Sequence, residues 1–399
     1  MLTYPLDEIN ETHLQNLIVS RTLERKTLEY KSLLPGNRDG EKKEFLADVS
    51  SFANSIGGDI IYGIRENEDH NPVELSGVNI SDIDSEIRRI ESIIRDGISP
   101  RIPNVSIKII TLQNGRYSVI IRIPNSWSKP HMVSFGGSSR FFARATNGKF
   151  QLDIGDIRAA FLLSDSKTQR IKEFVHSRVS DVYANNTPIP LTQYPKLIVH
   201  IIPISSLESP YCEKFNQIST IPMDPMCTGG GHRTYNSDGL LHYSHINEGQ
   251  CDGYVQIYHN GIIEAVSSFI SSSDRPEDQN ILPIIYIENE IMGALKNYIK
   301  IYPILNIEPP AFIFIHLLGV KGLSIPRSSQ FIHFNGNPIY KDLIYLPNFQ
   351  LDKFRFTNSD EDNEFLTRIL KLPFDTMANS VGLPYSLSYN QNGEFIRTI

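Results

Sequence analysis

Four residues near the N-terminus have the types and spacing for chemistry on a phosphodiester: Glu24, Glu29, Lys31 and Glu66. Hydrolysis of that bond calls for a hard cation to offset charge on the scissile phosphate and to generate hydroxide, and carboxylate oxygens are the ligands that Mg²⁺ or Mn²⁺ takes. Glu24, Glu29 and Glu66 are the candidate metal ligands. Lys31 follows Glu29 by two residues, hence on the same side of an extended chain, where it can orient water or phosphate. Taken alone, Glu29-Tyr30-Lys31 has a plainer reading as the solvated face of a strand.

The elements that must position these residues are legible nearby. Residues 27–31 alternate apolar and polar side chains, as a half-buried strand does, with Glu29 and Lys31 on one face. Turn chemistry over residues 35–40 leads into a helix over about 41–56, marked by Phe45, Leu46, Val49, Phe52, Ala53 and Ile56 and ending at Gly57-Gly58. Residues 59–64 are short, β-branched and flanked by glycine and charge, which predicts a buried strand just before Glu66. If the two strands are neighbours, the three carboxylates meet at one end of a sheet.

The rest of this half reads as a helix over 6–19, a helix over 83–94, strands over 105–110 and 117–123 joined at Asn114-Gly115, a strand at 140–144, and a helix over 154–163. The polar break Ser164-Asp165-Ser166 then predicts a boundary between a first domain over 1–165 and a second over 166–399. The second opens on a connecting helix over about 167–184. It continues with a strand over 196–202, a hairpin from 254–258 and 262–267, and a buried strand over 312–318. The expected fold class is an α/β (α+β) first domain with a mixed sheet and packed helices, followed by a second α+β domain.

In order, Glu24, Leu28-Glu29-Tyr30-Lys31, Phe52-Ala53-Asn54-Ser55-Ile56-Gly57-Gly58 and Ile61-Tyr62-Gly63-Ile64 resemble the signature of the Schlafen AlbA_2 family. Pro130-His131 and Phe142-Ala143-Arg144 resemble the later part of that domain, so the likeness covers about the first 160 residues. It implies a nucleic-acid-processing domain whose eukaryotic relatives include metal-dependent endoribonucleases of structured RNA, using two glutamates and an aspartate. Glu24 and Glu29 fall on the glutamate positions, while Arg65-Glu66 stands where aspartate is usual. A metal-dependent nuclease acting on RNA, tRNA-like or otherwise, or on DNA is the leading expectation, with a role in prokaryotic anti-phage defence. The rival is a non-catalytic nucleic-acid-binding or regulatory protein that keeps the fold.

Phosphate contacts need cations, and Arg21, Arg25, Lys26, Arg38, Lys42, Lys43, Arg140 and Arg144 are the candidates, with Asn54 near the glycine pair as a further contact. Packing alone also accounts for Asn54 and the glycines. The formal net charge of -7 excludes bulk electrostatic coating of nucleic acid, so any such site is local. Neither Gly36 to Lys42 nor the Gly229-Gly230-Gly231 stretch has P-loop spacing, which argues against a Walker-type ATPase.

Three cysteines, Cys212, Cys227 and Cys251, are too few and too scattered for a disulfide framework, and Cys227, His232, His242 and His245 match no familiar zinc pattern. Tyr235, Tyr243, Tyr254 and Tyr258 suit strand packing better than base stacking. The opening Met1-Leu2-Thr3-Tyr4-Pro5 lacks a signal-peptide pattern, and no apolar run is long enough to span a bilayer. The expected setting is cytoplasmic, without membrane, with nucleic acid and either a second copy of the chain or a defence-system protein as partners.

Overall fold

The computed structural model describes residues 2, 4, 6–146, 148–192, 195–207, 211, 212, 214–268, 280–325, 337–356, 360–390, 395 and 396; Met1, Thr3 and Pro5 of the opening segment lie outside the described residues. Its contacts divide the chain into two units, Met1–Thr168 and Gln169–Ile399. Among the described residues no helix is long and apolar enough to cross a membrane.

The first unit runs α1 (Glu11–Val19), β1 (Leu28–Lys31), α2 (Asp39–Asn54), β2 (Gly58–Tyr62), β3 (Ile64–Glu66), β4 (Pro72–Leu75), α3 (Ile83–Gly97) and β5 (Ile98–Ser99). It goes on with β6 (Ser106–Thr111), β7 (Tyr117–Ile123), β8 (Met132–Phe135), β9 (Ser138–Ala145) and β10 (Gly148–Gln151). A mixed sheet of order β1-β2-β7-β6 forms its centre, with β1 and β2 parallel neighbours in the register Glu29↔Ile60 and Lys31↔Tyr62. A second sheet, β10-β9-β8-β5, and the β3-β4 pair complete it.

Strand alternation gives each face of the central sheet its own core. Leu28, Tyr30, Ile61 and Ile120 turn toward Leu14 of α1. On the other face Ile60, Tyr62, Val119 and Ile121 pack on Phe45, Leu46, Val49 and Phe52 of α2 and on Ile90 and Ile94 of α3. A fully buried side chain the size of Phe52 contributes about 2–3 kcal/mol. Glu29 and Lys31 alternate with Leu28 and Tyr30 and therefore face the α2 side; Glu29 is buried and Lys31 partly so. The solvated-face reading of Glu29 is thereby set aside.

The α2–β2 junction differs from its sequence reading for steric reasons. The helix ends at Asn54, where Ser55 N–H and Gly57 N–H both return to Phe52 O, at 3.1 and 3.0 Å. Gly57 has φ +74°, and a Cβ there would come within 2.6 Å of Asn125 N. Gly58 already belongs to β2, where a Cβ would strike the Phe52 ring at 2.4 Å. Gly63, at φ +93°, breaks the expected strand over 59–64 in two, and β3 leaves the central sheet to pair with β4.

The expected break at Ser164-Asp165-Ser166 is absent: α4 is one helix from Ile154 to Tyr183. Ser164 Oγ donates to Trp127 O and Ser166 Oγ to Leu163 O, so these hydroxyls find acceptors without ending the helix.

The second unit contains β11 (Lys196–Pro203), β12 (His232–Asn236), β13 (Gly239–Tyr243), β14 (Gly253–Tyr258), β15 (Ile263–Ser268), α5 (Ile284–Tyr298), α6 (Ile301–Ile304), β16 (Ala311–Leu318), β17 (Leu343–Tyr345), β18 (Phe349–Leu351) and α7 (Asp360–Ser380). Its antiparallel sheet has the order β12-β13-β14-β15-β11-β16-β17, with β18 also on β16. Leu197, Val199 and Ile201 of β11 pack in one core with α5 and α7 residues such as Ile287, Ile291, Leu366 and Phe374. Ile198 and Ile202 pack on the other face with Ile171, Val175, Val179 and Val182 of α4. Burial on both faces is why this strand reads as a continuous apolar run. On the α4 face, Glu264 accepts hydrogen bonds from Arg178, His200 and Tyr254, so its buried carboxylate is fully engaged.

Candidate functional site

Glu29 sits at the middle of an ion-pair network inside the first unit. Lys31 Nζ is 2.6 Å from its Oε1, and Arg144 Nη1 of β9 donates to its Oε2. The Arg144 guanidinium also lies 4.1 Å over the Phe52 ring. Burial drives the Glu29 carboxyl up, but Arg144 and then Lys31 outweigh it and hold it below the usual range. Burial likewise pulls Lys31 down, whereas Asp48 and Glu29 hold its ammonium above normal.

Asp48 of α2 is part of this centre and was not singled out from the sequence. It is buried, with Oδ1 2.7 Å from Lys149 Nζ and Oδ2 3.7 Å from Lys31 Nζ. Burial first, then the charge of Glu29, pushes its carboxyl up to about 6. The available signal was an aspartate set within the apolar stripe Phe45, Leu46, Val49, Phe52, a position where an acid needs a partner.

Glu24 precedes β1 and accepts the Tyr30 N–H at 2.7 Å, which anchors it beside the strand. Burial is the main reason its carboxyl lies above the usual range, with Glu29 adding to it. Glu66 ends β3, and burial followed by the charge of Glu24 pushes it up to about 7. Its Oε1 is buried and has no hydrogen-bond partner among the described residues. A carboxylate pair that repels itself, with one orphaned oxygen, suits a hard cation, and Mg²⁺ commonly takes only one or two carboxylates, filling its shell with water and phosphate oxygens. Glu29 does not share this fit, because both its oxygens are held by cations. Among the described residues no three His, Cys, Asp or Glu side chains are grouped to hold a metal ion.

The structure separates the remaining candidates into two kinds. Arg144 is buried against Glu29, and Asn54 is a strap: its Nδ2 donates to His131 O and Phe142 O at 2.9 and 2.8 Å, while its Oδ1 accepts from His131 N at 2.6 Å. Asn54 thus ties β8 and β9 to the end of α2, and Arg144 ties β9 to Glu29 of β1, its buried Nε having no hydrogen-bond partner among the described residues. Arg21, Arg25, Lys26, Arg38 and Arg140 are exposed. Lys42 and Lys43 are partly exposed; Lys43 Nζ donates to Gly136 O at 3.0 Å, and Lys42 Nζ lies 6.0 Å over Phe135.

Residues 24–153, which contain every member of this centre, match the family model described as Schlafen, AlbA_2. They form a Schlafen AlbA_2 domain. Two solved structures are similar to parts of the chain. One is the DIP2311 protein from Corynebacterium diphtheriae, at 19% identity and a TM-score of 0.25 over 35% of this chain and 29% of that one. The other is the N-terminal domain of a protein from Nitrosomonas europaea related to the ATP-dependent DNA helicase RecG, at 19% identity and a TM-score of 0.26 over 33% of this chain and 84% of that one. No curated protein matches. In the AlbA_2 domain, then, the glutamate of the E-x-K strand is an ion-pair hub, and the repelling acids stand on either side of it in sequence.

Proposed function

We propose that the AlbA_2 domain is a metal-dependent nuclease acting on RNA or DNA, with Glu24 and Glu66 as the ligands of Mg²⁺ or Mn²⁺. The observation that carries this reading is Glu66, raised to about 7 beside Glu24 and left with a buried oxygen that no group among the described residues satisfies. A bound divalent cation would offset phosphate charge and supply hydroxide at neutral pH. Lys31, partly exposed, orients the phosphate or the water, and Arg144 with Glu29 fixes the strand on which Lys31 stands. The exposed arginines and lysines take the flanking phosphates. A part in prokaryotic anti-phage defence, alongside a second copy or a partner protein, belongs to the same proposal.

A second reading is a nucleic-acid-binding or regulatory protein without catalysis, favoured by the complete engagement of Glu29. Labelled tRNA, single-stranded DNA and duplex DNA, each with Mg²⁺, Mn²⁺ or EDTA, separate the two when wild type is compared with Glu24→Gln and Glu66→Gln. Metal-dependent cleavage lost in both variants supports the nuclease. Binding without cleavage on every substrate, together with a melting temperature that Mn²⁺ leaves unchanged, sinks it in favour of the binder.

A further inference from the structure

The second unit holds a cavity of about 260 Å³ beside the β12–β13 pair, lined in part by Asp224, His232, Arg233, His242 and Tyr243. Arg233 and His242 are directly opposed across the two antiparallel strands, as are His232 and Tyr243. His242 is only 6% exposed, and its Nε2 has no hydrogen-bond partner among the described residues although the ring lines the cavity. A buried imidazole nitrogen left without a partner is costly unless something that enters the cavity satisfies it. Burial, and then the Arg233 charge, pushes His242 down to about 4, so the ring is neutral near pH 7 and its nitrogens divide into one donor and one acceptor.

Arg233 Nη1 donates to Ser219 O, which fixes the guanidinium at the cavity. A guanidinium there favours a phosphate, yet Asp224 lines the same space and repels a bare anion. The occupant must therefore bring an anionic end for Arg233 and N–H donors for the carboxylate. The volume lies just under the range of roughly 300–1,000 Å³ of drug-sized sites, which limits the occupant to about one nucleotide.

We propose that this cavity binds a phosphorylated nucleoside whose base carries an exocyclic amino group, with phosphate on Arg233 and the base edge on Asp224 and His242. The source is either a free mononucleotide or the phosphorylated end of a strand. The site lies wholly in the second unit and does not rest on the nuclease reading.

Isothermal titration of the full chain with AMP, CMP, GMP, UMP, inorganic phosphate and a 5′-phosphorylated oligonucleotide tests it. At least one amino-bearing nucleotide, or an oligonucleotide ending in one, is expected to bind at least about tenfold more tightly than UMP and inorganic phosphate, as one hydrogen bond to a charged group dictates. Arg233 is exposed, so Arg233→Gln keeps the fold and is expected to weaken binding at least about tenfold, as is His242→Gln. Whether mononucleotide or oligonucleotide binds identifies the source. No binding by any ligand, inorganic phosphate binding as tightly as the nucleotides, or affinity indifferent to Arg233→Gln and His242→Gln overturns the proposal.

Discussion

Lys31 Nζ stands 2.6 Å from Glu29 Oε1, and this contact leaves Glu29 shared between two cations, since Arg144 holds its other oxygen. Arg144 is nearly buried, so removing its acid strands a charge away from water. Glu29→Gln is expected to destabilise the first unit by about 3 kcal/mol, near the low end for breaking a buried pair. The double variant Glu29→Gln with Arg144→Met should recover part of that loss, because the unpaired guanidinium goes too. Urea denaturation of the single and double variants checks this, and a loss under about 0.5 kcal/mol for Glu29→Gln would show that the pair does not hold β1 to β9.

Glu66 gives a pH dependence of defined sign. Its carboxyl is raised from 4.5 to about 7 on folding, so the folded chain binds more protons than the unfolded one between those values. The stability contributed by the protonated acid is complete below pH 4.5 and is lost as pH rises through about 7. Glu66→Gln escapes that loss. The variant should match wild type near pH 4 and exceed it at pH 8 by about 1 kcal/mol, a figure discounted because the group is partly solvated. Denaturation curves at the two pH values decide it; equal stability at pH 8 would contradict the crowding of Glu24 and Glu66.

Much of this centre was legible because E-x-K on a strand and the Asn-x-x-Gly-Gly helix end are local patterns. The Leu28–Tyr30 alternation placed Glu29 and Lys31 on one face, but it did not say that α2 and β9 would cover that face. Arg144 lies 115 residues from Glu29, and no short-range spacing carries such a pair. The same limit hid Asp48, whose partner Lys149 is 101 residues away. The Ser164-Asp165-Ser166 break failed for the opposite reason: those residues weaken a helix only modestly, and serine hydroxyls can bond within it. In the second unit β12 escaped notice because His232, Arg233 and Thr234 are exposed and lack an apolar alternation.

Asn54 offers a test that separates positioning from ligand contact. Its amide makes three hydrogen bonds to the backbone of His131 and Phe142, and Asn54→Ala leaves those groups without their partner. A stability loss of about 2–3 kcal/mol is expected. Affinity of the remaining folded protein for nucleic acid should be unchanged. If binding falls tenfold while the melting temperature holds, the strap account is wrong and Asn54 meets the ligand.

Arg140 and Arg144 lie four residues apart on β9 yet should behave oppositely. Arg140 is exposed and able to meet a phosphate, whereas Arg144 is closed in by Glu29 and Phe52. Each phosphate neutralised releases counterion, so log Kobs falls with log salt at a slope of about -0.9 per contact on duplex and about -0.7 on single strands. Arg140→Ala is therefore expected to weaken binding about equally for all sequences, to flatten the salt slope by nearly one, and to leave stability within about 0.5 kcal/mol of wild type. Arg144→Met should instead lower stability and, measured on folded protein, keep the salt slope. Fluorescence anisotropy across 50–200 mM salt reads both. A slope that flattens for Arg144→Met and stays fixed for Arg140→Ala would mean that the buried guanidinium leaves Glu29 to bind phosphate.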